Sequence, residues 1–323
     1  MENLIVQSDS FDMSTDSIIS WLHYLKPDIE IVKLFDEHQI KDITLKLSNN
    51  DVMTISINGL NITESDHYWY RRGRYSFDNF LLDATSSEFE KKIAKDNLTT
   101  ILDFVHNIQF KNGINKYSDN KVDKLKMLNY CRKHSIIIPD TLVTNSIEHV
   151  NDFLKKHKRI ISKPIQYPIV EFYENQNTFY FATKTHLITK DIIVNFPQKF
   201  LPSFFQKYVD KLFEIRSFYL KGNFYSMAIF SQENEKTKID FRDYDYERPN
   251  RIIPFNLPKK IEKKLKKLME DLNINSGSLD IIYTPQNEFV FLEVNPVGQF
   301  QWLSYYCNYF MEREIAKNLS NVK

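Results

Sequence analysis

Glycine is scarce in this chain, six in 323 residues. A loop that cradles phosphate with backbone N–H groups is hard to build from so few, and no Gly-x4-Gly-Lys-Ser/Thr sequence occurs, which excludes a P-loop nucleotide site. Cysteine is scarcer still. Cys131 and Cys307 lie far apart, and neither has a second cysteine nearby to complete a metal knuckle. That usage fits a reducing compartment and two buried small hydrophobes. The formal charge of +1 gives no general attraction to nucleic acid, so no such partner is expected. No apolar run approaches the roughly 18 residues of a membrane span. The start, MENLIVQSDS, lacks the basic and apolar regions of a signal peptide. A cytoplasmic protein without a membrane partner is expected. The eight histidines are scattered, with His134, His149 and His157 reading as helix-surface residues. No Cys-His or Ser-His-Asp arrangement points to a protein nucleophile.

What is present fits a folded globular protein: 42% hydrophobic and 14% aromatic residues, in a chain long enough for two or three domains. Strand patterns cover Leu4 to Val6 and Ile29 to Leu34, and a hairpin signal joins Leu45–Leu47 to Val52–Ile57. Helical spacing covers Ser17 to Leu25 and Phe89 to Gln109. This is an α/β N-terminal domain ending near Phe110, followed by a polar linker from Lys111 to Asp123. A helix then runs from Lys124 to about His134. Strands are expected at Ile160–Lys163, Phe179–Ala182 and Ile192–Phe196, Ser203–Lys207 leads into Tyr208-Val209, and a hairpin is expected at Glu214–Leu220 and Phe224–Phe230. Lys259 to Leu272 is an amphipathic helix whose six lysines read as a solvated face, the alternative being a surface for an anionic peptide or phosphate. The fold class is α+β, with domains at 1–115, 116–200 and 201–323.

The richest stretch is SGSLDIIYTPQNEFVFLEVNP, from Ser276 to Pro296. Two apolar runs, Leu279–Tyr283 and Phe289–Val294, flank the turn-rich Thr284–Asn287, a hairpin pattern. Alternate strand residues share a face, so Glu293 and Asn295 point together, and pairing brings Asp280 to the same end. Two carboxylates and an amide oxygen suit Mg²⁺ completed by phosphate oxygens. The plain alternative is an edge hairpin with polar ends. Against it, Glu293 follows the apolar Phe289–Leu292, where an unpaired carboxylate is costly.

Three further features fit a nucleotide site. Lys163 ends an apolar strand and is placed to meet phosphate as a point charge, although a strand-end lysine is ordinary by itself. Lys124 opens a helix, with Pro139 falling 15 residues later; taken singly, it reads as a solvated lysine. Gln206-Lys207-Tyr208-Val209-Asp210 offers backbone for an adenine edge and Asp210 for a ribose hydroxyl, or else is a plain edge strand.

In the order Lys124, Lys163, the 206–210 segment, Asp280, Glu293 and Asn295, the chain resembles the ATP-grasp fold, in which two subdomains clamp ATP. Trp69-Tyr70-Arg71-Arg72, Pro139 to Asn145, Glu214-Ile215-Arg216, Asp240-Phe241-Arg242 and Leu292 to Gln299 narrow the resemblance to the graspetide synthetases. These are ATP-grasp macrocyclases of ribosomal peptides. The Tyr305–Tyr309 tail and the 243–254 segment look most like the grasp-with-spasm maturase branch. The resemblance spans nearly the whole chain.

It implies that Lys124 and Lys163 contact ATP phosphates, with Lys121 a competitor for the first role. Gln206, Tyr208 and Val209 would flank adenine, and Asp210 the ribose. Asp280, Glu293 and Asn295 would bind Mg²⁺. Arg216, Arg242 and Asp240 would line the place where a peptide carboxylate meets the γ-phosphate. It also implies a ribosomal precursor peptide, leader plus core, as partner, and a homodimer. Two positions depart from the family: Ser135 stands where glycine is usual, and the 183–191 loop is poor in glycine. Without the resemblance, Trp69-Tyr70-Arg71-Arg72 reads as an aromatic pair on the core with snorkelling arginines. The implied reaction is ATP-dependent activation of Asp or Glu side chains of the peptide, followed by ester or amide closure with Ser, Thr or Lys. An amino-acid or dipeptide ligase on the same fold and a nucleotide-binding scaffold without turnover are the other readings.

Overall fold

The computed structural model describes the chain except residues 1, 36–38, 52, 78–85, 109–111, 166–168, 175–176, 183, 244 and 322–323, and describes only the backbone at 64, 121, 169–174 and 177–182. The expected boundaries at Val52, Gln109, Phe110, Lys111 and Thr183, and the Lys121 side chain, lie outside the described residues. The chain divides into two compact units, one of residues 1–120, 274–277 and 296–323, the other of 121–273 and 278–295. Residues 201–323 are thus shared between the units.

The first unit is built on a parallel sheet ordered Glu30–Phe35, Asn3–Ser8, His67–Tyr70, Gly113–Ile114. A central parallel strand is covered on both faces and so reads as a continuous apolar run. Leu4, Ile5 and Val6 are at most 1% exposed. The helix Met13–Leu25 is capped by the Asp12 side chain and buries Ile18, Ile19 and Leu22, packing on the helix Met311–Ser320. A small antiparallel sheet, Ile43–Lys46, Thr54–Ile57 and Leu60–Asn61, contributes Ile55 and Ile57 to a core shared with Tyr68, Leu102 and Val105. The helix Glu88–Asn107 starts with a Ser87–Glu90 capping box.

The expected linker is in fact structured. Gly113–Ile114 joins the sheet beside Tyr68–Trp69, and a 3₁₀ turn covers Tyr117–Lys121. Tertiary bonds override the polar composition: Asn115 N donates to Asn275 Oδ1 at 2.9 Å, and Asn115 Nδ2 to the Pro296 carbonyl at 3.0 Å. Arg71 does not snorkel. It is 5% exposed, its Nε donates to Asp12 Oδ2 and Ser14 Oγ at 3.0 Å, and its Nη1 donates to the Val297 carbonyl at 2.8 Å.

The second unit has two larger sheets. One is ordered His186–Ile188, Ile160–Ser162, Lys199–Lys207, Thr141–Ser146 and is backed by the helix Ile147–His157 through Val150 and Leu154. The other is ordered Arg251–Phe255, Asn223–Phe230, Phe213–Leu220, Ser276–Tyr283, Phe289–Asn295, with the helix Lys259–Asp271 burying Leu265, Leu268 and Met269. Ile169–Glu174 and Asn177–Ala182 pair as a separate hairpin. The strand expected at Ile192–Phe196 is instead the short helix Lys190–Ile193 and a turn. A short apolar run fits either period, and here the helical turn sends Ile193 into the core while Val194 stays exposed. Two of the histidines expected at the surface are largely enclosed: His134 bonds Asp271 at 2.9 Å and His157 lies 3.3 Å from Asp140, whereas His149 is exposed. Ser135 adopts φ +52°, so it makes the left-handed turn that glycine makes more cheaply. Both cysteines are buried, as expected. Among the described residues no helix is long and apolar enough to cross a membrane.

Asp12→Ala strips a helix cap and leaves the buried Arg71 guanidinium without its carboxylate. A loss of about 3–5 kcal/mol is expected in equilibrium urea unfolding, with Asp12→Asn losing less because it keeps a capping oxygen.

Candidate active site

The hairpin forms as its sequence indicates, with Asp280 opposite Glu293 and Ser278 opposite Asn295. The register then shifts, placing Ile281 opposite Phe291 and leaving Leu292 as the extra residue of a β-bulge. In an unbroken strand, Phe291 and Glu293 would share a face. The bulge separates them: Phe291 faces away with Ile281, and Glu293 shares the face of Asp280. The turn is closed by Thr284 N donating to the Glu288 carbonyl at 3.0 Å and by left-handed Asn287.

That face lines a cleft of about 700 Å³, open to solvent, within the second unit. Its apolar part includes Ile161, Tyr208, Val209, Phe241, Ile282 and Leu292. Gln206, fully buried on the strand Lys199–Lys207, donates from Nε2 to Thr141 Oγ1 at 3.0 Å, while its Oε1 has no partner. Lys207 N and Tyr208 N are already bonded to the carbonyls of Asp140 and Arg159. Asp210 is exposed and outside the cleft lining; Arg159, stacked over the Tyr208 ring at 4.6 Å, holds its carboxylate at 2.5 Å. The carboxylate that does line the cleft near the 206–209 segment is Glu214. It accepts from Lys211 Nζ at 2.7 Å and from Ser231 Oγ at 2.8 Å. Burial raises its pKa, with Lys211 opposing. The sequence held a signal for this residue, an acid inside the apolar strand Phe213–Leu220 with a lysine three residues before it.

The charged part is dense. Lys163 follows the strand Ile160–Ser162, and Lys124 opens a helix capped by Asp123. Both ammonium groups lie 5.7 Å from the centroid of the Phe204 ring. Lys124 Nζ is 3.3 Å from Glu293 Oε2 and donates to the Pro164 carbonyl at 3.1 Å. Burial lowers the Lys163 pKa to about 8; Lys124 and Arg242 push the same way, and Glu293 and Asp280 oppose them. Burial alone would raise the Glu293 carboxyl, but Lys163, Lys124 and Arg242 outweigh it and hold it below its usual range. Asp280 goes the other way. Burial raises it, despite Arg216 at 3.2 Å, and Glu293 adds repulsion. Arg242 grips Asp240 with two bonds, 2.8 and 2.6 Å, which raise the guanidinium. They also keep Asp240 low against its burial.

Lys124, Lys163, Gln206, Tyr208, Val209, Arg216, Asp240, Arg242, Asp280 and Glu293 therefore converge, either lining the cleft or bonded to residues that do. Asn295 is exposed and outside the lining, two residues beyond Glu293 on the same strand face. Lys211 and Thr185 join the site with no expectation attached to them, and Glu214, named in the motif Glu214-Ile215-Arg216, joins it without an expected role. Among the described residues no group of three His, Cys, Asp or Glu side chains forms a metal cage. The donor set at the hairpin, two carboxylates and an amide oxygen, fits Mg²⁺ only together with ligand oxygens.

Glu293 is the largest charge opposing the depression of Lys163. Glu293→Gln is expected to lower the Lys163 pKa below about 8, read by NMR titration of the ¹³Cε signal.

No family model matches the chain, and neither does any curated protein. Solved structures do. A RiPP-associated ATP-grasp ligase of Chryseobacterium gregarium, in complex with ADP and a leader and core peptide, aligns at TM-score 0.80 and 23% identity, covering 100% of this chain and 96% of that one. Macrocyclase MdnC of Microcystis aeruginosa MRC, bound with precursor peptide MdnA, aligns at 0.75 and 25% over 99% of both chains. ATP-grasp ligase PsnB, complexed with a phosphomimetic variant of its minimal precursor, Mg and ADP, aligns at 0.70 and 14% over 99% of this chain and 98% of that one. Over its whole length this chain has the ATP-grasp fold, in the form shared with the Chryseobacterium gregarium ligase and macrocyclase MdnC.

Proposed function

We propose that this protein is an ATP- and Mg²⁺-dependent graspetide synthetase. Its substrate is a ribosomal precursor peptide with leader and core, and its product carries ester or amide links between Asp or Glu side chains and Ser, Thr or Lys side chains. The observation that carries the reading is one cleft joining an apolar slot to a wall of paired charges, in a chain that matches a RiPP-associated ATP-grasp ligase and a macrocyclase, each bound to peptide, from end to end. A cytoplasmic homodimer completes the proposal.

The residues present fit the nucleotide. The buried, unpartnered Gln206 Oε1 suits the exocyclic amine of adenine, between Tyr208 and Val209. We assign the ribose hydroxyls to Glu214, because Asp210 is held outside the cleft by Arg159. Lys124 and Lys163 would meet the phosphates. Asp280 and Glu293, with the Asn295 amide oxygen, would hold Mg²⁺, which supplies charge neutralisation to the phosphates when bound. Arg242, aligned by the fork to Asp240, and Arg216 present planar donors suited to a carboxylate and a phosphoryl group together.

In the first step a peptide carboxylate oxygen bonds to the γ-phosphorus of ATP and ADP leaves. In the second, a hydroxyl or amine of the same peptide attacks the activated carbonyl carbon, phosphate departs and the nucleophile releases its proton. The peptide loses one water per ring. The protein's contribution is positioning and electrostatic stabilisation, with no protein nucleophile.

Intact mass spectrometry of a precursor peptide incubated with the protein, ATP and Mg²⁺ is expected to show stepwise loss of water, absent with Glu293→Ala. Unchanged peptide mass alongside ADP formation would shift the reading to an amino-acid or dipeptide ligase. Nucleotide affinity should also depend on pH. Lys163 binds phosphate only when protonated and titrates near 8 in the free protein. ADP binding, followed by calorimetry, should therefore weaken as pH rises past that value, and Lys163→Arg should retain binding to higher pH.

A further inference from the structure

A second groove, of about 700 Å³, lies on the back of the same hairpin, and nothing in the proposed reaction uses it. The bulge that turns Glu293 toward the nucleotide cleft turns Phe291 and Ile281 into this groove. Its floor is apolar, with Leu265, Ile281 and Phe291 at most 2% exposed, and its wall includes Ile137, a large side chain left 45% exposed.

The rim on the helix Lys259–Asp271 is cationic. Lys260 and Lys264, one turn apart, both line the groove. Among the described residues, Lys259 is the one lysine of this helix with a carboxylate partner, Glu262 at 2.8 Å. Lys264 reaches the Ser135 carbonyl, which leaves its charge uncompensated. Glu288 is the one acid among the lining residues.

The groove also borders a sheet edge. Phe289–Asn295 is the last strand of its sheet, and its outer side is met among the described residues by a single bridge, in which Phe291 N donates to the Ile137 carbonyl at 2.9 Å. Such an edge can take a further extended segment. An extended segment presents alternate residues to opposite sides, which suits an apolar floor beside a cationic rim.

We propose that this groove docks an extended peptide segment of a partner chain in which large apolar residues alternate with carboxylates. Apolar side chains fill the floor over Leu265 and Phe291, and carboxylates pair with Lys260 and Lys264. The site is separate from the nucleotide cleft, so it stands or falls independently of the proposed reaction.

The test is fluorescence anisotropy of the full chain with two labelled probes, the N-acetyl amides of Leu-Glu-Leu-Glu-Phe and Leu-Lys-Leu-Lys-Phe. The acidic probe should bind saturably, weaken as salt rises, and lose about tenfold or more in affinity in Lys260→Glu/Lys264→Glu. The basic probe should not bind the parent protein. An unchanged circular dichroism spectrum and unfolding temperature would confirm that the variant is folded. No saturable binding of the acidic probe, equal binding by parent and variant, or equal binding of the two probes would overturn the proposal. Binding of octanoate without binding of the peptide would also overturn it, marking the groove as a site for small amphiphiles.

Discussion

Glu293 keeps its charge in a largely enclosed site because three cations surround it, and most of the site depends on that balance. Lys163 and Lys124 repel each other across the Phe204 ring and are tolerated there because Glu293 faces both. Arg216 and Arg242 are each held to an aspartate, so these four cations stand together without an unopposed field. Buried charge is costly in such surroundings, and removing one member leaves its partners unpaired. The same arrangement suits a polyanionic ligand: phosphate oxygens can replace the carboxylates as partners of the lysines, while the carboxylates become free to bind a cation.

The backbone device behind this balance is one extra residue, Leu292. A strand with strict alternation cannot send both Phe291 and Glu293 to the sides they occupy. The bulge resolves the conflict, and in doing so it makes both faces of one hairpin useful, charged in front and apolar behind. Scarcity of glycine is met in a comparable way. Of the ten non-glycine positions with positive φ among the described residues, six are asparagine, the side chain that tolerates this region best after glycine.

Much of the fold was legible from local pattern. The strand Asn3–Ser8, the hairpins at 213–230 and 276–295, and the helices Glu88–Asn107 and Lys259–Asp271 have periodicity and turn residues that agree with their tertiary setting. The residues of Lys190–Ile193 and Gly113–Ile114 carried no such agreement. The first is too short for its period to be read, and the second is polar sequence drawn into a sheet by bonds from Asn115 to residues some 160 to 180 positions away. Arg71 was misjudged for the same reason, since its partners Asp12 and Val297 are remote in sequence.

The sequence by itself determined the α+β class, the hairpin that carries Asp280 and Glu293, and, through motif order, the resemblance to peptide-cyclising ATP-grasp ligases. Those depend on periodicity, turn chemistry and residue order, which are local or linear properties. Only the tertiary structure decided that Glu214 rather than Asp210 lines the cleft, that Arg216 and Arg242 are each paired to an aspartate, and that Lys163 is depressed to about 8. Burial and Coulomb interactions depend on distances in space, and residues remote in sequence set those distances only when the sheets assemble.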